Sequence, residues 1–217
     1  MIKLNNMNAS IHDSNEKPSE IKIFGLRRTG TNYLSKLLNT NYNVKMIGGL
    51  AGWKHGKYRV KELLGREINC IVISKNIYSW LSSLQKRYNS WDFYKAVETV
   101  DFIQMYSFAY GDWLNIPEKL EVKKCLFVKY EDLIINPSLI CEKISKQFKL
   151  RNKTKNFINI QKIVKPRELL GVKNFDKSYY INREYMKKYN EELKILIKKH
   201  IDLNIVESLG YSKDTLI

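Results

Sequence analysis

The segment from Ile21 to Leu38 constrains the fold more than any other part of this 217-residue chain. It opens with an apolar, β-prone run and closes with leucines at helical spacing. Gly25 and Gly30 bracket the turn between them, where glycine permits backbone angles that a Cβ would penalise. The pattern predicts a buried strand that turns directly into a helix, whose first N–H groups can bind a phosphate or sulfate group.

This turn departs from an ATP-binding P-loop at the two positions that hold phosphate and metal. Gly25 and Gly30 have the P-loop spacing, but Thr31 replaces the required lysine and Asn32 replaces the Mg²⁺-binding serine or threonine. An ordinary nucleotidase or kinase is therefore not expected, although a divergent P-loop nucleotide or nucleoside kinase stays open. A simple helix cap on a doubly wound domain is the other interpretation of the turn.

A second motif follows the apolar run from Glu67 to Ser74, which predicts another buried strand. Lys75 comes directly after this run, and Ser83 comes eight residues after Lys75. A cation at a strand end and a hydroxyl about two helical turns later can reach one phosphate dianion. The alternative is an amphipathic helix whose Trp80 packs inward and whose serines have no role in binding.

His55 lies between these two motifs, in the glycine-rich segment Trp53 to Gly56. An imidazole titrates near neutral pH and can take a proton from an attacking hydroxyl, so His55 is the candidate catalytic base. It could equally be a surface or anion-contact residue beside Lys54. If another side chain is the base, the candidates nearest in sequence are Glu62, Glu67 and Glu98.

The two motifs together resemble those of sulfotransferases that use 3′-phosphoadenosine 5′-phosphosulfate (PAPS). The part that resembles the 5′-phosphosulfate loop is Arg28, Thr29, Gly30, Thr31, Asn32, Tyr33 and Leu34. Lys75 and Ser83 take the places of the arginine and serine that bind the 3′-phosphate in that family. Two departures are the lysine itself, which replaces a bidentate contact with a point charge, and Ile77, which replaces a proline.

The resemblance implies a set of site residues and a reaction. Arg28 would contact the bridging and transferring oxygens, and His55 would activate a hydroxyl or amine acceptor. The remaining cofactor-binding residues would be Arg27, Thr29, Gly30, Thr31, Asn32, Tyr33, Lys75 and Ser83. PAPS would be the co-substrate, and no metal would be needed because the leaving group is a single phosphate.

Weaker matches to the same family continue toward the C-terminus. An apolar strand from Cys125 to Val128 leads into Tyr-Glu-Asp-Leu, for which we expect a structural role, with Asp132 capping the next turn and Pro137 opening a helix. The periodicity predicts a helix from Asn182 to His200, followed by an ending at Gly210 and Tyr211. Further contacts to the nucleotide would come from among Lys165, Arg167, Lys173 and Lys177.

Composition and element order predict a single α/β domain. With 44% apolar residues the chain can bury an ample core over residues 21–217, after a flexible extension at residues 1–20. We expect three layers around a mostly parallel sheet, with the P-loop-like phosphosulfate-binding turn at the strand C-termini. A helix from Asp92 to Leu114 would cover the sheet and shape the acceptor pocket. The three cysteines are expected to be buried, in two strands and a helix.

The net charge of +16 leaves a different class of protein open, a basic nucleic-acid-binding domain. However, the sequence contains no helix-turn-helix, zinc-finger or RNA-recognition motif. The charge fits equally well a polyanionic cofactor and an anionic acceptor such as a glycan. We expect a cytoplasmic enzyme that contacts its nucleotide and an acceptor, without nucleic acid or membrane.

Overall fold

The fold is known from a computed structural model, which describes residues 17–48, 54–55, 68–87, 96–120, 125–160 and 177–212. Its strands are β1 (Ser19–Phe24), β2 (Val44–Met46), β3 (Asn69–Ser74) and β4 (Cys125–Lys129). Its α-helices are α1 (Thr31–Asn41), α2 (Ile77–Gln85), α3 (Ala96–Leu114), α4 (Ile116–Leu120), α5 (Tyr130–Ile135), α6 (Pro137–Phe148), α7 (Ser178–Ile181), α8 (Glu191–His200) and α9 (Leu203–Ser208). A 3₁₀ helix covers Glu184–Lys188.

The described strands form one sheet in the order β2-β1-β3-β4, and every pairing is parallel. The α/β class and the parallel sheet are therefore confirmed. The chain crosses from β1 to β2 on one side, whereas β3 pairs with the other edge of β1. Such a reversal opens a crevice at the carboxyl ends of the two central strands, which is where ligands bind in open α/β sheets. The turn after β1 and Lys75 after β3 both lie at this edge.

Strand periodicity explains why the sheet has a core on each face. Along β3, Cys70 and Val72 point to one core, while Ile71 and Ile73 point to the other. The first core is completed by α2, α3, α8 and α9, and the second by α1, α5 and α6. The sheet is thus the middle of three layers, since a strand buried on both faces needs helices on both.

Several predicted elements are confirmed and two are wrong. The strand before Lys75 is β3, and the predicted long helix is α3. Asp132 does not cap the following turn, because the side chain of Asn136 accepts the N–H of Leu139 and thereby begins α6, with Pro137 in its first turn. Asp132 lies inside α5, where it pairs with Lys129 at 3.6 Å.

The predicted helix from Asn182 to His200 is also wrong, because it is interrupted. Arg183 adopts a left-handed φ of 53°, and the 3₁₀ helix that follows ends before Tyr189. Asn190 then accepts the N–H of Leu193 and starts α8 as a separate helix. The predicted ending is present, since α9 stops before Gly210, which has a φ of 78°.

Part of the predicted extension at residues 1–20 belongs to the sheet. β1 begins at Ser19, within the predicted extension, and residues 1–16 of that extension lie outside the described residues.

Among the helices that the structure describes, none combines the length and apolar composition that crossing a membrane would require. Cys70, Cys125 and Cys141 lie in β3, β4 and α6, as predicted; Cys70 and Cys141 are buried, whereas Cys125 is only partly buried, against the expectation.

Gly25 provides a test of the close contact between the end of β1 and β3. A Cβ at this position would lie 2.7 Å from both the Cγ2 and the carbonyl oxygen of Ile73, and a strand carbonyl cannot swing aside. We expect Gly25→Ala to lower the free energy of unfolding by about 1–3 kcal/mol in urea denaturation. The control is Gly48→Ala, where a Cβ meets nothing within 4 Å and the change should stay within about 0.5 kcal/mol. Equal effects of both substitutions would contradict the close packing.

Candidate active site

The turn after β1 is held in a defined shape by its own buried threonine. The Thr29 hydroxyl and N–H both donate to the carbonyl of Leu26, at 2.7 and 3.3 Å. Arg28 and Gly30 adopt positive φ angles of 73° and 93°. A Cβ on Gly30 would also lie 2.5 Å from Cδ2 of Tyr130, so glycine is required there for two reasons.

The N-terminus of α1 opens directly from this turn. Gly30 is its N-cap residue and supplies no side-chain hydrogen bond, while Thr31 and Asn32 form the start of the helix. The first N–H groups of a helix have no partner within the helix and carry its partial positive charge. The side chains of Arg27 and Arg28 are exposed beside them. This end of the sheet therefore attracts anions.

The structure brings His55 to the turn, which sequence order alone could not establish. The Gly25 N–H donates to the carbonyl of Lys54 at 3.0 Å, and Nδ1 of His55 lies 2.5 Å from the Gly25 carbonyl. Because a carbonyl oxygen only accepts, Nδ1 carries the proton and Nε2 is left with its lone pair. Lys54 also donates to the Asn32 side chain at 2.5 Å, so this segment is attached to α1 as well.

The electrostatic surroundings favour a neutral imidazole at His55. Burial lowers its pKa, and the nearby charges of Lys54 and Arg27 lower it further, against the opposing effect of the Gly25 hydrogen bond. A neutral imidazole with a defined tautomer has the property that a general base needs.

Lys75 and Ser83 come together as the second motif predicts. Nζ of Lys75 donates to Oγ of Ser83 at 2.7 Å, and this hydroxyl donates to the Ser79 carbonyl at 2.9 Å. Lys75 is only 1% exposed, however, and its ammonium lies against the rings of Tyr130 and Tyr180, at 4.4 and 4.7 Å from their centroids. Because Lys75 is covered, an anion can contact its ammonium only if a covering side chain moves.

Glu131 holds the peptide that follows Lys75. Its Oε1 accepts the N–H of Asn76 at 3.1 Å, and its Oε2 accepts the hydroxyl of Tyr211 at 2.9 Å. Tyr211 in turn lies 3.2 Å from the hydroxyl of Ser74. The strand end that carries Lys75 is thus attached through one carboxylate to both α5 and the C-terminal segment.

The opposite charges of buried Lys75 and partly buried Glu131 act on each other. Burial lowers the pKa of Lys75, while the Glu131 charge raises it; burial raises the pKa of Glu131, while hydrogen bonds and Lys75 lower it. Each charge therefore favours the ionised form of its partner against burial. The sequence pattern indicates only a structural role for Glu131. It does not predict the contact of Tyr180 with Lys75 or of Tyr211 with Glu131, because both tyrosines approach from far along the chain.

Further cations surround the same place. Burial lowers the pKa of Lys86, and the neighbouring charges of Lys188 and Arg28 lower it further. Arg28 and Lys86 have the same effect on Lys75. Like charges held this close repel one another, so an anion bound among them would be stabilised.

The two motifs are physically joined. The indole N–H of Trp80, on α2, donates to the carbonyl of Arg27 at 2.8 Å. Trp80 is buried, as the amphipathic interpretation of α2 also required. The helix after Lys75 thus supports the turn that contains the arginines.

A cavity of about 170 Å³ lies beside the turn. Its described lining consists of Leu26, His55, Met105, Phe108, Ala109, Asp112 and Trp113. Most of these residues belong to α3, so this helix forms much of the described wall of the cavity. His55 is the lining residue that also contacts the turn.

Some predicted contributors cannot be placed. Glu62, Glu67, Lys165, Arg167 and Lys173 lie outside the described residues, and so does the side chain of Glu98. Lys177 precedes α7. Within the described ranges, His, Cys, Asp and Glu side chains do not gather in groups of three or more that could hold a metal ion.

Comparison with protein families and with curated proteins adds no relative. No family model matches the chain, and no curated protein matches it significantly. The function of the chain must therefore be inferred from the residues and the geometry of the site.

The hydrogen bond from Tyr211 to Glu131 provides a test of the support under Lys75. Tyr211→Phe removes one donor from the partly buried carboxylate of Glu131, so we expect the free energy of unfolding to fall by about 1–3 kcal/mol in urea denaturation. The control is Tyr33→Phe, which removes an exposed hydrogen bond to Asn159 and should cost less than about 0.5 kcal/mol. A loss for Tyr33→Phe as large as that for Tyr211→Phe would contradict the assignment.

Proposed function

We propose that the protein is a sulfotransferase that moves a sulfuryl group from PAPS to a hydroxyl or amine acceptor. The observation that carries the proposal is the meeting of three groups at the carboxyl ends of β1 and β3. These are the glycine-bracketed turn with Arg28, the Lys75–Ser83 pair, and His55, whose Nδ1 is bonded to the Gly25 carbonyl. The first two offer places for two separate phosphates, and the third offers a base between the turn and a cavity.

The donor would bind with its 5′-phosphosulfate at the N-terminus of α1. The N–H groups and hydroxyls of Thr29, Gly30, Thr31 and Asn32 would hold the 5′-phosphate, with Arg27 and Tyr33 at its edges. The 3′-phosphate would lie near Lys75 and Ser83, after displacement of Tyr180. Lys86 is an additional cation within the same cluster.

Transfer would proceed in line. His55 Nε2 takes the proton of the acceptor as its oxygen or nitrogen attacks sulfur, and the bond between sulfur and the bridging phosphate oxygen breaks. The electron pair of that bond stays on the 5′-phosphate of the departing 3′-phosphoadenosine 5′-phosphate. Arg28 and the N-terminus of α1 stabilise the charge that develops there.

Nucleotide binding tests this proposal against the kinase alternative. We expect 3′-phosphoadenosine 5′-phosphate to raise the melting temperature, because a ligand at 100 times its Kd adds about 2.7 kcal/mol of stability. ATP with Mg²⁺ should have a much smaller effect, since Thr31 and Asn32 replace the groups that hold its phosphates and metal. Equal stabilisation by both nucleotides would favour a divergent kinase. Salt-sensitive binding to nucleic acid without a nucleotide response would favour the nucleic-acid alternative.

Arg28→Ala tests the role of the turn. Loss of a charge-assisted hydrogen bond should weaken binding of 3′-phosphoadenosine 5′-phosphate about 10- to 100-fold in calorimetric titration. Arg151→Ala is the control, because Arg151 lies away from the turn. Its carbonyl accepts the N–H of Asn43, which comes just before β2 and therefore lies at the amino ends of the parallel strands. Unchanged affinity in the Arg28 variant would contradict the proposed donor site.

The pH dependence of turnover tests His55. Its lowered pKa means that the imidazole becomes neutral at a lower pH than usual, so the acidic limb of kcat should have its midpoint below about 6.5. His55→Ala should abolish this limb and most turnover, while nucleotide affinity stays within about twofold of the wild type. His200→Ala, on α8, is the control and should keep the profile. Full turnover in the His55 variant would exclude it as the base.

A further inference from the structure

The described contacts of the Lys75 ammonium group are with uncharged groups. It donates to the Ser83 hydroxyl at 2.7 Å, and it lies 4.4 and 4.7 Å from the centroids of the Tyr130 and Tyr180 rings. Lys75 is only 1% exposed, so water stabilises its charge very little. Whether this lysine keeps its proton therefore depends on charges that lie beyond its direct contacts.

The charges that act on Lys75 come from three elements around it. Burial lowers the pKa of Lys75, whereas the charge of Glu131, on α5, raises it. The charges of Arg28, in the turn after β1, and of Lys86, at the end of α2, lower this pKa further. Glu131 therefore supplies negative charge that keeps the proton on Lys75.

Tyrosines complete the described surroundings of this lysine. They come from α3, α5, α7 and the C-terminal segment, and they are Tyr106, Tyr130, Tyr180 and Tyr211. Burial raises the pKa of each of these tyrosines, so they carry no charge near neutral pH. The charge of Lys75 thus depends on Glu131 and on the nearby cations.

Glu131 is held where its charge can act on Lys75. Its two carboxylate oxygens accept the N–H of Asn76 at 3.1 Å and the hydroxyl of Tyr211 at 2.9 Å. Burial raises the pKa of Glu131, whereas these hydrogen bonds and the charge of Lys75 lower it. Because Asn76 follows Lys75 directly, the same carboxylate also fixes the peptide that carries the lysine.

The effect of this carboxylate on anion binding is the opposite of what its own charge suggests. A carboxylate near an anion site normally weakens binding, because like charges repel. At this site, however, loss of the carboxylate would favour the neutral amine of Lys75. A neutral amine binds a phosphate more weakly than an ammonium group does, because the charge-assisted hydrogen bond is lost.

We propose that Glu131 is a positioning residue of the second phosphate site, at Lys75 and Ser83, and that it keeps Lys75 cationic and in place, so that removal of its carboxylate weakens anion binding there. An arginine in place of Lys75 would not need this carboxylate, since a guanidinium stays charged in proteins. This inference rests on the proposed function, whose donor supplies the second phosphate.

Calorimetric titration of the full chain at a series of pH values tests the inference. The quantity measured is the preference for 3′-phosphoadenosine 5′-phosphate over adenosine 5′-phosphate, from about pH 5.5 to about pH 9. This preference should fall as the pH rises and Lys75 loses its proton. Glu131→Gln should move the midpoint of the fall to lower pH by at least about half a pH unit, which lowers the preference about threefold above the wild-type midpoint. The 3′-phosphate itself titrates near about pH 6, but it does so alike with both proteins.

An unchanged midpoint, a midpoint at higher pH, or a stronger preference in the Glu131→Gln variant would overturn the inference. The control is Asp132→Asn, the neighbouring acid on α5. Its side chain is 48% exposed and pairs with Lys129 at 3.6 Å, so water screens its charge. This control should keep the preference within about twofold of the wild type at every pH.

A Lys75→Arg background separates the charge of Glu131 from its role in the fold. The guanidinium keeps its charge, so Glu131→Gln should no longer weaken the preference in this background. An equal loss in both backgrounds would show that Glu131 acts only through the fold and would overturn the inference. Lys75→Arg alone should remove the fall of the preference above about pH 7, which keeps the test decisive if the Gln variant does not fold. A fall like that of the wild type would contradict the inference.

The two proposals fail in different ways. Equal affinity of the wild type for both nucleotides at every pH would contradict the second phosphate site and, with it, the proposed donor. A normal preference in the wild type that Glu131→Gln keeps or strengthens would contradict the role of Glu131 alone.

Discussion

The parallel pairing of β1 with β3 is the constraint on which the rest of the site depends. Phe24 pairs with Val72, so both strands deliver their carboxyl ends to one edge of the sheet. Because the sheet order reverses there, the turn after β1 and Lys75 after β3 face a shared crevice. The close contact of Gly25 with Ile73 and the bond from Trp80 to the Arg27 carbonyl keep the two loops together. Without this register, the two motifs could not bind one ligand together.

The electrostatics of the crevice are costly to the folded protein. A buried lysine and a partly buried glutamate interact beneath a cluster of surface cations, and the burial of each disfavours its charged form. Glu131 compensates part of this cost through its hydrogen bonds to Asn76 and Tyr211. Among the surrounding cations, Lys86 lies 4.3 Å from the centroid of the Tyr179 ring and Lys188 donates to the side chain of Gln85. Both of these partners are uncharged, so an anionic ligand would stabilise the arrangement further. Sites of strained electrostatics are often functional, which agrees with the proposal.

Local patterns predicted the elements of this fold better than its long-range contacts. The strand, turn and helix after Ser19, the strand before Lys75 and the helix at Pro137 all follow from periodicity and from glycine and proline chemistry. The break before α8 was missed, although Asn190 followed by two glutamates is a recognisable helix start. No local pattern could show that His55 reaches Gly25, or that Tyr211 reaches Ser74 across most of the chain, because these contacts depend on tertiary packing.

The proposed donor would occupy two separate phosphate sites in the crevice, one at the N-terminus of α1 and one at Lys75. Calorimetric titration with 3′-phosphoadenosine 5′-phosphate and with adenosine 5′-phosphate measures what the second site contributes to affinity, since the two ligands differ only in the 3′-phosphate. We expect the bisphosphate to bind at least about tenfold more tightly, because the 3′-phosphate adds one charge-assisted contact. Equal affinities would contradict the second site.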